Sequence, residues 1–208
     1  MTARSSLVLI AALAAGASFY LHHWIAVEGP VEVVWKGAGV GLLALWAALR
    51  ARSGDGWLIA TVLGLGAAGD MLLETHGMTI GALAFLAGHL VAVVLYRRNR
   101  VRSGWLVAPI AFGVAFAAWS LPADRDAAGG IAVYALGLGA MAGSALASRF
   151  PLAALGALLF VLSDLLIFAG MGPLAASPLP GLLIWPTYFV GQALIAWAVV
   201  TASARRRT

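Results

Sequence analysis

Few side chains in this sequence can do chemistry, and those few stand in unusual places. Asp70 and Asp164 each lie within a run of apolar residues, Gly69-Asp70-Met71-Leu72-Leu73 and Ser163-Asp164-Leu165-Leu166-Ile167. Lys36 lies within another such run, and His89 and Gln192 within two more. Phe85 precedes His89 by four residues and Tyr188 precedes Gln192 by four, so on a helix each pair shares one face. A charged group in hydrocarbon costs about 2.5–3.5 kcal/mol on insertion scales, so each of these residues requires a partner, water or a task. Two carboxyls facing one cavity can divide proton chemistry, one held protonated as a general acid and the other ionised to stabilise a cation and activate water. Such a set suits acid-catalysed hydrolysis. The alternative is a small proton- or cation-coupled transporter in which Asp70 and Asp164 carry the charge.

Other chemistries are excluded or unsupported. With no cysteine there is no thiolate zinc site, disulfide or cysteine nucleophile. The sequence contains no Gly-rich loop ending in Lys-Ser or Lys-Thr, no His-Glu-x-x-His and no Gly-x-Ser-x-Gly elbow. His22-His23 lacks further ligands at a suitable spacing, so neither a metal nor a cofactor is expected.

The elements that must position these residues follow from composition. Of 208 residues 62% are apolar and only 10% charged, whereas a soluble domain is roughly 45–50% apolar even with glycine counted. Eight apolar segments, at 5–22, 31–49, 57–74, 78–96, 104–120, 130–148, 151–170 and 181–202, each approach the ~20 residues that cross a bilayer. The expected fold is all-α: a single transmembrane domain over residues 1–208, an integral membrane bundle of eight transmembrane helices. A net charge of +5 and a pI near 10.4 would suit a nucleic-acid partner, but the positions of the basic residues exclude one. Arg4, Arg50, Arg52, Arg97, Arg98, Arg100, Arg102, Arg149, Arg205, Arg206 and Arg207 all fall on one side of the eight-pass arrangement. That side, with both termini, is expected to be cytoplasmic. Arg125 lies opposite, in the loop Asp124-Arg125-Asp126. Arg4 followed by an apolar stretch resembles a secretory leader, but His22, His23 and Trp24 suit an outer interfacial anchor, so a retained helix is the expectation. One Lys against 12 Arg, with abundant Ala and Gly, suggests a GC-rich bacterium, and the expected location is the cell membrane, as a multi-pass protein of the bacterial inner membrane.

The chain reads as two parallel repeats of four helices, approximately 1–100 and 101–208. The Asp70 and Asp164 segments correspond, and Phe85-Leu86-Ala87-Gly88-His89 corresponds to Tyr188-Phe189-Val190-Gly191-Gln192. Counted at about 1.5 Å per residue, Asp70, Asp164 and Lys36 lie some 6–9 Å below the outer ends of their spans. Tyr188 belongs to the same layer, and His89 and Gln192 sit nearer the midplane. A polar pocket just beneath the outer face is the expectation, with a carboxyl from each half facing it. Lys36 can also pair with Glu32 one turn away or snorkel to the interface, while Glu74 and His76 are expected to be solvated in the outer turn.

At these residues the chain resembles the YhhN-like integral membrane family, whose characterised members are lysoplasmalogenases. The resemblance covers essentially the whole chain. It is carried by Gly69-Asp70-x-Leu72-Leu73, Gly81-x-x-x-Phe85-x-x-Gly88-His89, Gly156-Ala157-x-x-Phe160-x-x-Ser163-Asp164 and Tyr188-x-x-x-Gln192-x-Leu194-Ile195. It implies an eight-spanning enzyme that takes a lysophospholipid from the surrounding membrane lipids and cleaves its vinyl ether. Lysoplasmenylethanolamine or lysoplasmenylcholine would yield a fatty aldehyde and the glycerophospho head group. By the same resemblance Asp70 and Asp164 are the catalytic acids and Lys36 matches a second-span lysine. Lys36, His89, Tyr188 and Gln192 are expected to bind substrate. Two departures stand out: Gly37 follows the lysine where the family often has proline, and Ala92 stands where it often has tyrosine.

Overall fold

The computed structural model describes residues 3–205, with side chains through Ser203, and is all-helical, as expected. Eight α-helices occur among the described residues: α1 Ala3–Phe19, α2 Pro30–Arg50, α3 Gly54–His76, α4 Met78–Arg98, α5 Val107–Ser120, α6 Arg125–Ala147, α7 Pro151–Gly170 and α8 Leu179–Arg205. A short 3-10 turn, Tyr20–His23, extends α1. Among the described residues seven helices are long and apolar enough to cross a membrane, consistent with a helical membrane bundle. The side chain of Arg205 and all of Arg206 and Arg207 lie outside the described residues.

The helix ends follow local chemistry more closely than hydropathy. Ser53 caps α3 by accepting from the Gly56 N–H at 3.3 Å, and Pro30 opens α2, where its missing N–H costs nothing. Asp124 accepts from the Asp126 N–H at 2.9 Å, so α6 starts at Arg125, earlier than the apolar run alone suggests. The Arg125 guanidinium then lies 4.3 Å from the centroid of the Trp119 ring and donates to the Trp119 carbonyl at 2.8 Å, tying the end of α5 to the start of α6. Helix α5 is shorter than the expected span of 104–120. Its 14 residues reach about 21 Å. Pro109 fits only in a first turn, so the helix cannot run back through Trp105 and Leu106 without placing the ring in its interior.

The chain forms two compact units, one of residues 1–95 with 196–208 and the other of residues 96–195. In the first, α2 packs against α1 and α3. Gly37 and Gly41, one turn apart on α2, bring it close to α3: a Cβ on Gly37 would stand 2.7 Å from Met71 Cγ. Trp46 is fully buried and stacks on Trp197 with ring centroids 6.0 Å apart. In the second unit α6 packs on α5 and α7. Gly139 and Gly143 admit the α5 backbone, since Cβ atoms there would lie 2.7 Å from Ala111 Cα and 2.9 Å from Val107 Cα. The loop before α5 is pinned to the end of α6: Val101 and Arg102 donate backbone N–H bonds to the Ala147 carbonyl, and Arg149 Nε donates to Asn99 Oδ1 at 2.7 Å.

The two units contain matching helix crossings. A Cβ on Gly88 of α4 would meet the Val62 carbonyl oxygen and Leu65 Cβ of α3, both at 3.5 Å. A Cβ on Gly191 of α8 would meet the Gly156 carbonyl oxygen at 2.7 Å and Leu159 Cβ at 3.5 Å on α7. Val62 and Gly156, like Leu65 and Leu159, are separated by the same interval as Asp70 and Asp164. Both helix pairs therefore cross in the same register, with their aspartates two turns beyond the crossing.

Candidate active site

In the first unit the acid is carried by a stretch of α3 nearly free of bulk. Gly66, Ala67, Gly69 and Asp70 are all buried, and Asp70 is only 2% exposed. Small neighbours let α4 come close: a Cβ on Gly69 would stand 2.7 Å from the Phe85 ring, so the ring lies against the backbone just before the acid. His89, one turn along the same face of α4, is likewise buried.

Lys36 does not pair with Glu32, and Glu74 is not merely solvated; the two form an ion pair with each other. The cause is the packing of α2. Its glycine face is fixed against α3, which directs the lysine beside Gly37 toward the last turn of that helix. Glu74 follows Asp70 by one turn, so the ion pair lies on the same face of α3 as the buried acid. The Lys36 and Glu74 side chains remain 18% and 34% exposed.

In the second unit Asp164 of α7 is buried as well, 5% exposed. The Tyr134 hydroxyl of α6 donates to its Oδ2 at 2.5 Å, a short bond that fixes the orientation of the carboxyl. The Tyr134 ring meets Phe168 edge to face with centroids 6.2 Å apart, which holds the phenol in place. Ser163, next to the acid, donates to the Ile184 carbonyl of α8 at 3.0 Å. That stretch of α8 contains Pro186, which offers no N–H to the Leu182 carbonyl four residues earlier. Hydroxyls bond the neighbouring carbonyls instead: Thr187 Oγ1 also donates to the Leu183 and Ile184 carbonyls.

One turn beyond Pro186 the Tyr188 ring stands edge-on to Phe160, centroids 5.1 Å apart at an interplanar angle of 88°. Gln192 Nε2 donates to the Tyr188 hydroxyl at 3.4 Å. Gln192 is 2% exposed and its Oε1 is a buried acceptor with no protein partner, a costly arrangement for an amide in an apolar interior. Tyr188 and Gln192 are thus brought together as their spacing implies.

Each unit holds its own set: Asp70, His89 and the Lys36–Glu74 pair in the first, Asp164, Tyr134, Tyr188 and Gln192 in the second. Two of these, Tyr134 and Glu74, are not among the residues that sequence patterns single out. Tyr134 was legible in principle. It stands about four residues into the sixth apolar span, at the depth counted for Asp164, where a tyrosine also passes for an interfacial anchor. Among the described residues no group of three or more His, Asp or Glu side chains could hold a metal ion. Chemically, the first unit offers a buried carboxyl one turn from a semi-exposed ion pair, and the second a buried carboxyl fixed by a phenol and a buried amide oxygen.

No curated protein and no solved structure matches the chain. Residues 31–199, from the first turn of α2 to near the end of α8, match the sequence model of the YhhN family, and the chain belongs to that family.

Proposed function

We propose that the protein is a lysoplasmalogenase, an ether hydrolase that cleaves the vinyl ether of a lysoplasmenyl lipid by aspartate acid–base catalysis. The observation that carries this reading is that Asp70 and Asp164 are both withdrawn from solvent, 2% and 5% exposed, at matching positions of α3 and α7. Membership of a family that includes lysoplasmalogenases supports it. The chemistry needs one proton donor and one anion. A vinyl ether hydrolyses by protonation of its β-carbon, which gives an oxocarbenium ion. Water adds to that cation and loses a proton, and the resulting hemiacetal collapses to an aldehyde and the glycerol hydroxyl. Asp70 and Asp164 divide the roles of acid and base, as paired carboxyls do in glycosidases, which pass through a related cation.

The remaining residues supply binding and orientation in this reading. Lys36 holds the lipid phosphate as a point charge. His89 supports Asp70, the acid of its own unit, and Tyr134 steadies Asp164. Tyr188 and the free acceptor of Gln192 orient water or the ether oxygen. Purified protein in detergent is expected to release a long-chain aldehyde from lysoplasmenylethanolamine or lysoplasmenylcholine, detected by aldehyde trapping and mass spectrometry. A preparation inert toward such lipids that instead moves protons or cations across liposomes would overturn the reading.

A further inference from the structure

The Lys36–Glu74 ion pair lies on the same face of α3 as Asp70, at the end where that helix finishes, and its position is hard to explain by helix stability. A carboxylate in the last turn of a helix opposes the macrodipole, where a cation or neutral side chain would be favoured. Glu74 nonetheless occupies that turn, two residues before His76, and meets a lysine from another helix. Exposure falls along this face, from the semi-exposed pair to the buried acid one turn below. A turn rises about 5.4 Å, comparable to the reach of a glycerol backbone between a phosphate and an ether oxygen at its other end.

Resting on the hydrolase reading above, we propose that this pair is the head-group site and that Glu74 selects lipids whose phosphate carries a cationic amine. The argument is one of charge matching. A zwitterionic head group can exchange partners with the pair, its phosphate taking Lys36 and its ammonium taking Glu74, so no charge is left without a counter-charge. A lipid with a bare phosphate satisfies Lys36 but sets its negative charge against Glu74, and like charges at contact distance are penalised. Lysine alone would bind both lipids; the glutamate makes the difference between them.

The test uses binding, so that it stands apart from turnover. Two non-hydrolysable single-chain lipids are compared on the full-length protein in detergent, an alkyl-glycerophosphoethanolamine and an alkyl-glycerophosphate of the same chain length. The wild type is expected to bind the ethanolamine lipid about tenfold more tightly or better, the scale of one charge-assisted contact. Glu74→Gln is expected to bring the two affinities together, Glu74→Asp to retain the preference, and Lys36→Met to weaken both lipids. N-acetylation of the ethanolamine, which removes the cation while keeping the phosphate, is expected to abolish the preference on the unaltered protein, so the test does not depend on a variant folding. Equal binding of the two lipids by the wild type, or an undiminished preference in Glu74→Gln or for the acetylated lipid, overturns the proposal. Selective binding without aldehyde release would remove the hydrolase reading and leave the selector; aldehyde release without selectivity would do the reverse.

Discussion

At the scale of the residue, the burial of an acid decides which neighbours matter. Asp164 has a phenolic donor at 2.5 Å, and a hydrogen bond to a charged group is worth about 1.5–3 kcal/mol. If that bond orients the carboxyl for its step, Tyr134→Phe should lower kcat roughly 10- to 100-fold while KM for the lysoplasmenyl lipid moves little. Steady-state kinetics on the two proteins checks this. An unchanged kcat would mean that the phenol only fills space, because phenylalanine keeps the edge-to-face contact with Phe168 and loses the hydroxyl alone. The buried acids were legible in the sequence, since a carboxylate in an apolar run is improbable without a purpose. Their partners were less so. A tyrosine near a span end fits an interfacial belt as well as a buried bond, and the Lys36–Glu74 pairing depends on which face of α2 meets α3, a matter of tertiary packing.

At the scale of the element, glycine sets how closely the helices approach, and the two matching crossings give opposite expectations for the same change. At Gly156 and Gly191 an added Cβ would sit 2.5 Å and 2.7 Å from a backbone carbonyl oxygen of the facing helix, which cannot yield without separating α7 from α8. Gly156→Ala and Gly191→Ala should each destabilise by about 1–3 kcal/mol, the usual cost of overpacking. At Gly88 the nearest atoms are 3.5 Å away, an ordinary contact, so Gly88→Ala should be neutral or slightly stabilising through helix propensity. Thermal unfolding of the three variants in detergent would check the contrast, and equal shifts for all three would contradict it. The apolar runs identified all eight helices, but hydropathy misplaced several starts, α5 and α6 among them. It counted Trp105 and Leu106 into α5, where Pro109 forbids them, and it left Arg125 and Asp126 out of α6, where the Asp124 cap admits them.

At the scale of the whole molecule, the chain belongs to its family and carries two helix pairs that cross in one register, each with a buried aspartate about two turns beyond the crossing. The paired segments around Asp70 and Asp164 already suggested related halves, and Gly88 and Gly191 face corresponding positions of α3 and α7, though the nearest carbonyl oxygen is at 3.5 Å in the first crossing and 2.7 Å in the second. The distribution of arginines set the expected orientation, though not the close fit of α5 to α6, which rests on Gly139 and Gly143 meeting backbone atoms that hydropathy does not see. The account as a whole stands on protonation of a vinyl ether carbon by one aspartate with the help of the other. Its most direct measurement is hydrolysis of a lysoplasmenyl lipid in heavy water by wild-type, Asp70→Asn and Asp164→Asn proteins, with the aldehyde reduced as it forms. The wild type should release aldehyde bearing a single deuterium on its α-carbon, and both asparagine variants, still folded, should release none. Aldehyde release that persists in either variant, or product without solvent deuterium at that carbon, would contradict the account.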